Sequence, residues 1–194
     1  MAFQGDNDKV RRIVDIGANY GAFTLLAASR CPHASIEAYE PNPLNAKLVM
    51  NVTNNGLENR VVVIQEALSS ERGSERYYMF TADGLNGLVY KNSIVAGEQF
   101  VRDIIVNTDT LDNIIGDGID ILKIDCEGSE YDIIKNSKQL KKIKCIIGEW
   151  HEYLPDQDHH ALLAQLVFNG FEVLELYPDK QHGHFIAWNR DFNE

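Results

Sequence analysis

Short apolar runs recur along this chain, each closed by a turn signal and followed by a stretch with apolar positions three or four residues apart. Residues 13–16 form the first run and read as a buried strand, 17–21 as a tight loop and 23–29 as the helix that follows. A second strand is predicted over 35–40, ended by Pro41 and Pro43, and a second helix over about 44–54, with Gly56 as its stop. The β-branched run 61–65 reads as a third strand. After a break, 119–125 reads as the fourth strand of the core, 130–137 as a helix and 143–149 as the fifth strand. A further helix, capped by Asp156 or Asp158, is expected to reach Phe168 and stop at Asn169-Gly170. The last two strands, 171–177 and 184–188, are joined by a short turn and therefore pair antiparallel.

Alternation of this kind predicts one Rossmann-like α/β domain over 1–194 with helices on both faces. Its sheet is expected to have seven mostly parallel strands in the order 3-2-1-4-5-7-6, the last hairpin antiparallel. The stretch from about 69 to 108 interrupts the pattern. It holds two strand-like runs, 73–80 and 100–106, around a polar, glycine-bearing loop, and reads as an inserted hairpin or flap. Asp109 or Thr110 then caps a short helix.

The loop after the first strand carries the first candidate chemistry. A glycine-rich strand-to-helix turn lets backbone approach a nucleotide-like ligand. The spacing here is G-x-x-x-G, Gly17 to Gly21 with Asn19 between, and Asp15 lies on the strand just before it. A carboxylate there repels a pyrophosphate and favours a cationic ligand. S-adenosylmethionine (SAM) has an ammonium, a sulfonium and no phosphate. A generic βα turn is the plain alternative. Glu40 ends strand two, about twenty residues past Gly17, where an acidic residue accepts from ribose hydroxyls, with Pro41 beside it. Glu66 is placed to accept from an adenine amino group while Ala67 or Leu68 packs on the ring.

Composition narrows the partners. The 194 residues are 44% hydrophobic and 24% charged, enough for one full core, with a formal charge of −11. That charge argues against nucleic acid or an anionic membrane as partner, and no run has membrane-spanning length. The three cysteines are odd in number and show no C-x-x-C, which reads as free thiols in a reducing compartment; with no apolar leader at the start, a cytoplasmic protein is expected. Self-association is left open.

The second motif, Leu122 to Glu130, puts Asp125 at the carboxyl end of the central strand, beside the switch in strand order where open sheets bind ligands. Lys123 shares its strand face and, inside an apolar strand, needs a partner. Glu127 and Glu130 add charge at the mouth. Strand five ends in Glu149-Trp150-His151-Glu152. His151 is the expected general base and Asp125 its orienter, so both are the expected catalytic residues. Glu149, His151 and Asp125 also suit a hard metal, although no metal is expected to be strictly required. His159-His160 reads as a solvated helix start and His182-Gly183-His184 as part of a turn.

These residues together resemble the FkbM family of SAM-dependent O-methyltransferases. The matching pieces are VDIGANYGAFTLLAA, EAYEPNP, EALSS, NTDTLDNII, ILKIDCEGSEYDIIK, IIGEWHE and FNGFEV, in family order over roughly residues 10–190. The resemblance implies a class I methyltransferase fold, SAM as donor, and a hydroxyl of a small molecule or a sugar or glycan as acceptor. The chain begins almost at the first strand, whereas many relatives carry an N-terminal extension, so acceptor recognition is expected to lean on the flap or on another subunit. Two other readings compete: a non-catalytic SAM- or nucleotide-binding module, and an NAD-dependent oxidoreductase, which Asp15 and the missing third glycine disfavour.

Overall fold

The computed structural model of the chain describes residues 7–43, 46–81, 86–89 and 99–192. Most of the expected flap loop, and the first two residues of the second expected helix, lie outside the described residues. The first half runs β1 (Arg12–Ile16), α1 (Ala22–Arg30), β2 (Ser35–Tyr39), α2 (Ala46–Asn54), β3 (Val61–Ile64), β4 (Ala67–Ser69), β5 (Gly73–Phe80) and β6 (Phe100–Thr110). The second half runs α3 (Leu111–Ile115), β7 (Ile119–Ile124), α4 (Glu130–Asn136), β8 (Ile143–His151), α5 (His159–Phe168), β9 (Phe171–Leu176) and β10 (His182–Asn189).

The main sheet has the order β3-β2-β1-β7-β8-β10-β9. This is the order expected from the sequence, once the insert strands are counted. Strands β3, β2, β1, β7 and β8 pair in parallel, and β10 pairs antiparallel with both β8 and β9. Each core strand alternates between two apolar layers, which is why these runs are apolar throughout rather than at every second position. Val14, Ile16, Leu122 and Ile124 pack toward Ile115, Ile133 and Leu166 of α3, α4 and α5. Ile13, Ile36 and Ile121 pack toward Ala27, Leu48 and Val52 of α1 and α2. Gly148 fits where β8 passes under Phe185: a Cβ there would lie 2.2 Å from the ring.

The interruption after β3 forms a second, three-stranded sheet, β4-β6-β5. The expected hairpin is present as the antiparallel β5–β6 pair, with a register shift between Met79 and Phe80. Strand β6 runs on to Thr110, four residues past its expected end, because β4 pairs with its last residues in parallel. Thr110 caps α3, its hydroxyl accepting from Asn113 N–H at 3.3 Å. Asp158 caps α5 by accepting from His160 N–H at 2.9 Å. Strand β10 begins at His182, so the expected turn histidines are strand residues paired with β8. His159 is not a solvated helix start: its ring stacks on Trp150, 4.1 Å between centroids, and its Nδ1 lies 2.6 Å from Glu152 Oε1. Among the described residues, no helix is long and apolar enough to cross a membrane.

Candidate active site

The loop after β1 turns where the sheet changes direction. Gly17 has φ +74, and a Cβ on it would lie 1.8 Å from the Asp125 carbonyl oxygen. Only glycine lets this loop touch the end of β7. The N–H groups of Gly17 and Ala18 both donate to the Tyr39 carbonyl at 3.0 Å, which fastens the loop to β2. Asn19 then takes a left-handed φ of 49, and its N–H donates to Glu40 Oε2 at 2.8 Å. Asn42 N–H donates to Glu40 Oε1 at 3.0 Å. Glu40 is therefore gripped from both sides while only 6% exposed. Burial pushes its carboxyl above the ordinary range, against the pull of those two N–H groups.

A cavity of about 230 Å³ opens beside this loop. Gly17, Asn19, Glu40, Pro41, Glu66, Ala67 and Asp125 all line it, as the sequence leads one to expect. Cys126 is half-buried and lines it too. Two expected residues do not line it. Gly21 is the residue before α1, and a Cβ on it would press on Leu48. Asp15 is fully buried beneath the loop, so it acts as a support and not as a wall. Its Oδ2 accepts from Thr24 Oγ1 at 2.6 Å, and its Oδ1 lies 3.6 Å from Lys123 Nζ. Parallel register sets Asp15 directly beside Lys123 on the face toward α1.

Lys123 thus has the partner its strand position demands, and more than one. Nζ donates to the Gly17 carbonyl at 2.9 Å and lies 3.2 Å from Asp125 Oδ2. Burial alone would lower this ammonium, but Asp15 and Asp125 outweigh it and hold it above its ordinary value.

The insert supplies cavity residues that sequence reasoning missed: Tyr77, Asn86, Gly87 and Leu88. Tyr77 is buried, its hydroxyl 3.5 Å from Glu40 Oε1. No local pattern marks these residues, because their place depends on how the second sheet folds back over the first. Two buried side-chain atoms on the cavity residues, Asn86 Nδ2 and Ser129 Oγ, have no hydrogen-bond partner among the described residues.

A more open groove of about 760 Å³ adjoins the cavity, and Glu127 and Glu149 line both. His151 lines the groove rather than the cavity. Strand β8 continues to His151, two residues past its expected end, and the residue is 4% exposed. Its Nδ1 lies 3.2 Å from Glu130 Oε1, and its Nε2 lies 3.5 Å from Glu149 Oε1 and 3.9 Å from Glu127 Oε2. Asp125 does not orient it, being paired with Lys123. That part falls to Glu130, which is fully buried and also accepts from Cys126 N–H at 2.7 Å and Gly128 N–H at 2.8 Å. Tyr153 stacks on the other side and donates to Glu127 Oε2 at 2.8 Å. Asp125 and His151 are nonetheless brought together. With Glu127, each offers a ligand atom within 4.8 Å of the others, so these three are a set able to hold a metal ion.

Burial alone would lower the His151 pKa, but Glu130, Glu149 and Glu127 reverse the sign and push it up to about 10. The folded value lies above the unfolded one near 6.5, so the stability this imidazolium contributes is fully present below about pH 6.5. It is lost as pH rises through about 10. The imidazole proton signals of His151 in an NMR titration are expected to stay in the charged state at pH 8. A midpoint near 6.5 would contradict this geometry.

The methyltransferase FkbM domain family matches residues 15–174, from the glycine loop to β9. The chain belongs to the FkbM methyltransferase family. Methyltransferase sdnD of Sordaria araneosa is 30% identical, with 83% of this chain and 73% of that protein covered. Among solved structures, an FkbM methyltransferase from Methylobacillus flagellatus KT shares the fold with a TM-score of 0.63 at 16% identity. That likeness covers 92% of this chain, which spans only 44% of the other. The N-terminal domain of human METTL16, solved in complex with SAH, has a TM-score of 0.52 at 16% identity over 96% of this chain and 64% of its own. As an FkbM-family methyltransferase, the chain carries its glycine loop, Glu40 and the Asp125-to-Glu130 turn within the matched span.

Proposed function

We propose that this methyltransferase uses SAM and transfers its methyl group to a hydroxyl of a small-molecule or sugar acceptor. The observation that carries the reading is Glu40: a buried carboxylate, held by two backbone N–H groups, lining a cavity closed by the Gly17 loop. The cavity fits such a cofactor, since it pairs hydrogen-bonding atoms that have no partner among the described residues with apolar walls at Ala67, Leu68 and Leu88. The N-terminal domain of human METTL16, which has the same fold, was solved in complex with SAH, and this supports SAM as the cofactor class.

In this reading Glu40 accepts from both ribose hydroxyls, Glu66 accepts from the adenine amino group, and Ala67 and Pro41 pack on the ring. Gly17 and Asn19 let backbone come close. When bound, SAM supplies an electrophilic methyl on a sulfonium. The acceptor lies in the adjoining groove, where Glu127, Glu149 and His151 meet the cavity. There the chain's own task is to align the hydroxyl, exclude water and take up its proton at His151 Nε2. Because three carboxylates hold the imidazole ring protonated near neutrality, the base becomes available only as pH rises toward about 10.

Calorimetric titration with SAM, NAD and NADP tests the cofactor. Binding of SAM alone is expected, and binding of NAD without SAM would overturn the reading. Glu40→Ala is expected to weaken SAM binding by about tenfold or more, because two ribose hydroxyls lose their acceptor. A variant that titrates like the parent would remove Glu40 from the cofactor site. We further expect methyl transfer to survive a chelator. Activity abolished by EDTA and restored by Mg²⁺ or Mn²⁺ would instead give Asp125, Glu127 and His151 to a metal.

A further inference from the structure

Asn86 is the cavity residue whose chemistry remains unused. It belongs to the insert, and only 6% of it is exposed. Its amide has a defined direction, since Oδ1 accepts from Phe80 N–H at 2.7 Å and Nδ2 is therefore the other end. Nδ2 is buried and has no partner among the described residues. The backbone around it is pinned. Gly87 and Tyr78 exchange two hydrogen bonds, of 2.8 and 3.1 Å, and a Cβ on Gly87 would lie 3.2 Å from Glu127 Cβ. The insert thus rests on the turn after β7 and presents an N–H donor in the cavity wall.

A buried donor without an acceptor costs free energy, which a ligand acceptor recovers. A second buried atom of the cavity residues, Ser129 Oγ on the turn after β7, is in the same state, which suits a ligand with hydrogen-bonding edges. We propose that Asn86 Nδ2 donates to a ring nitrogen of the cofactor's adenine, so that the insert and the core sheet together complete the cofactor pocket. This rests on the SAM reading above. The ribose hydroxyls go to Glu40, and the adenine amino group, itself a donor, goes to Glu66. The acceptors left on a purine are its ring nitrogens, and a flat ring suits walls made by Ala67, Leu68 and Leu88. The insert is then a specificity element for the base.

The test uses S-adenosylhomocysteine (SAH) as probe, titrated calorimetrically against the full chain. Asn86→Asp keeps the acceptor for Phe80 N–H and replaces the donor by an oxygen, so the fold is retained while the ring nitrogen loses its partner. It is expected to weaken SAH binding by about tenfold or more, with Asn86→Ala as a second variant and thermal melting as the check on folding. SAH analogues in which N1, N3 or N7 is replaced by C–H then identify the atom. One of them is expected to bind the parent about tenfold more weakly than SAH, and to show no such difference against Asn86→Ala. A folded Asn86→Asp or Asn86→Ala that binds SAH like the parent overturns this inference and leaves the SAM reading standing. A parent chain that binds no SAH overturns both.

Discussion

Replacing His151 by alanine is expected to lower kcat by about a hundredfold or more, with SAM affinity barely changed. The expectation follows from position. His151 lines the groove and not the cavity, so it stands apart from the proposed cofactor site while facing the carboxylates that join the two spaces. Glu130 fixes its Nδ1 side and leaves Nε2 toward Glu149 and Glu127. An imidazole held this way has its pKa pushed up to about 10. The rate in the parent should therefore climb with pH on a limb that ends near 10, and this limb should vanish in His151→Ala. The measurement is kcat against pH at saturating SAM and acceptor. An unchanged kcat in the variant would take His151 out of the reaction and leave the carboxylates as candidates.

Lys123→Met is expected to cost about 3–5 kcal/mol of folding stability, because it strands a buried carboxylate. Asp15 is fully buried, and Lys123 is the cation facing both it and Asp125. Removing the ammonium leaves Thr24 as the hydrogen-bond donor to Asp15 and frees the Gly17 carbonyl. Against a typical total of about 5–15 kcal/mol, this is a large share. Denaturant unfolding of the parent and the variant reads it directly. Asp15→Asn in the same background should restore part of the loss, since the two residues are paired in register and are not independent. A Lys123→Met protein within about 0.5 kcal/mol of the parent would show that the ammonium is not what balances Asp15.

The fold was legible because its strands are apolar on both faces and its turns carry glycine, proline and capping residues at their ends. The run 13–16, the strand expected over 61–65, which ends at Ile64, and the helix and strand on either side of Asn169-Gly170 each appear where the pattern puts them. The carboxylates that line the cavity were legible for a related reason: Glu40, Glu66 and Asp125 stand at or just past strand ends, and strand ends at the switch in sheet order open onto a crevice. Position within a strand is less informative about what lies beneath. Asp15 is one residue short of its strand end, and that single step turns its side chain into the helix-facing layer with Lys123. Partners far apart in sequence were harder still. Glu130 reads as a helix-start carboxylate, yet it reaches back to close its own turn and across to His151. The insert gave no local sign that Tyr77 and Asn86 return to the cavity, because that return is set by β6 pairing with β4.

A crystal structure of the full chain with SAH bound tests the central claim most directly. The account predicts SAH in the cavity beside the Gly17 loop, its ribose hydroxyls hydrogen-bonded to Glu40 and its sulfur turned toward the groove at Glu149 and His151. SAH bound elsewhere, or in the cavity with the ribose away from Glu40, would contradict it.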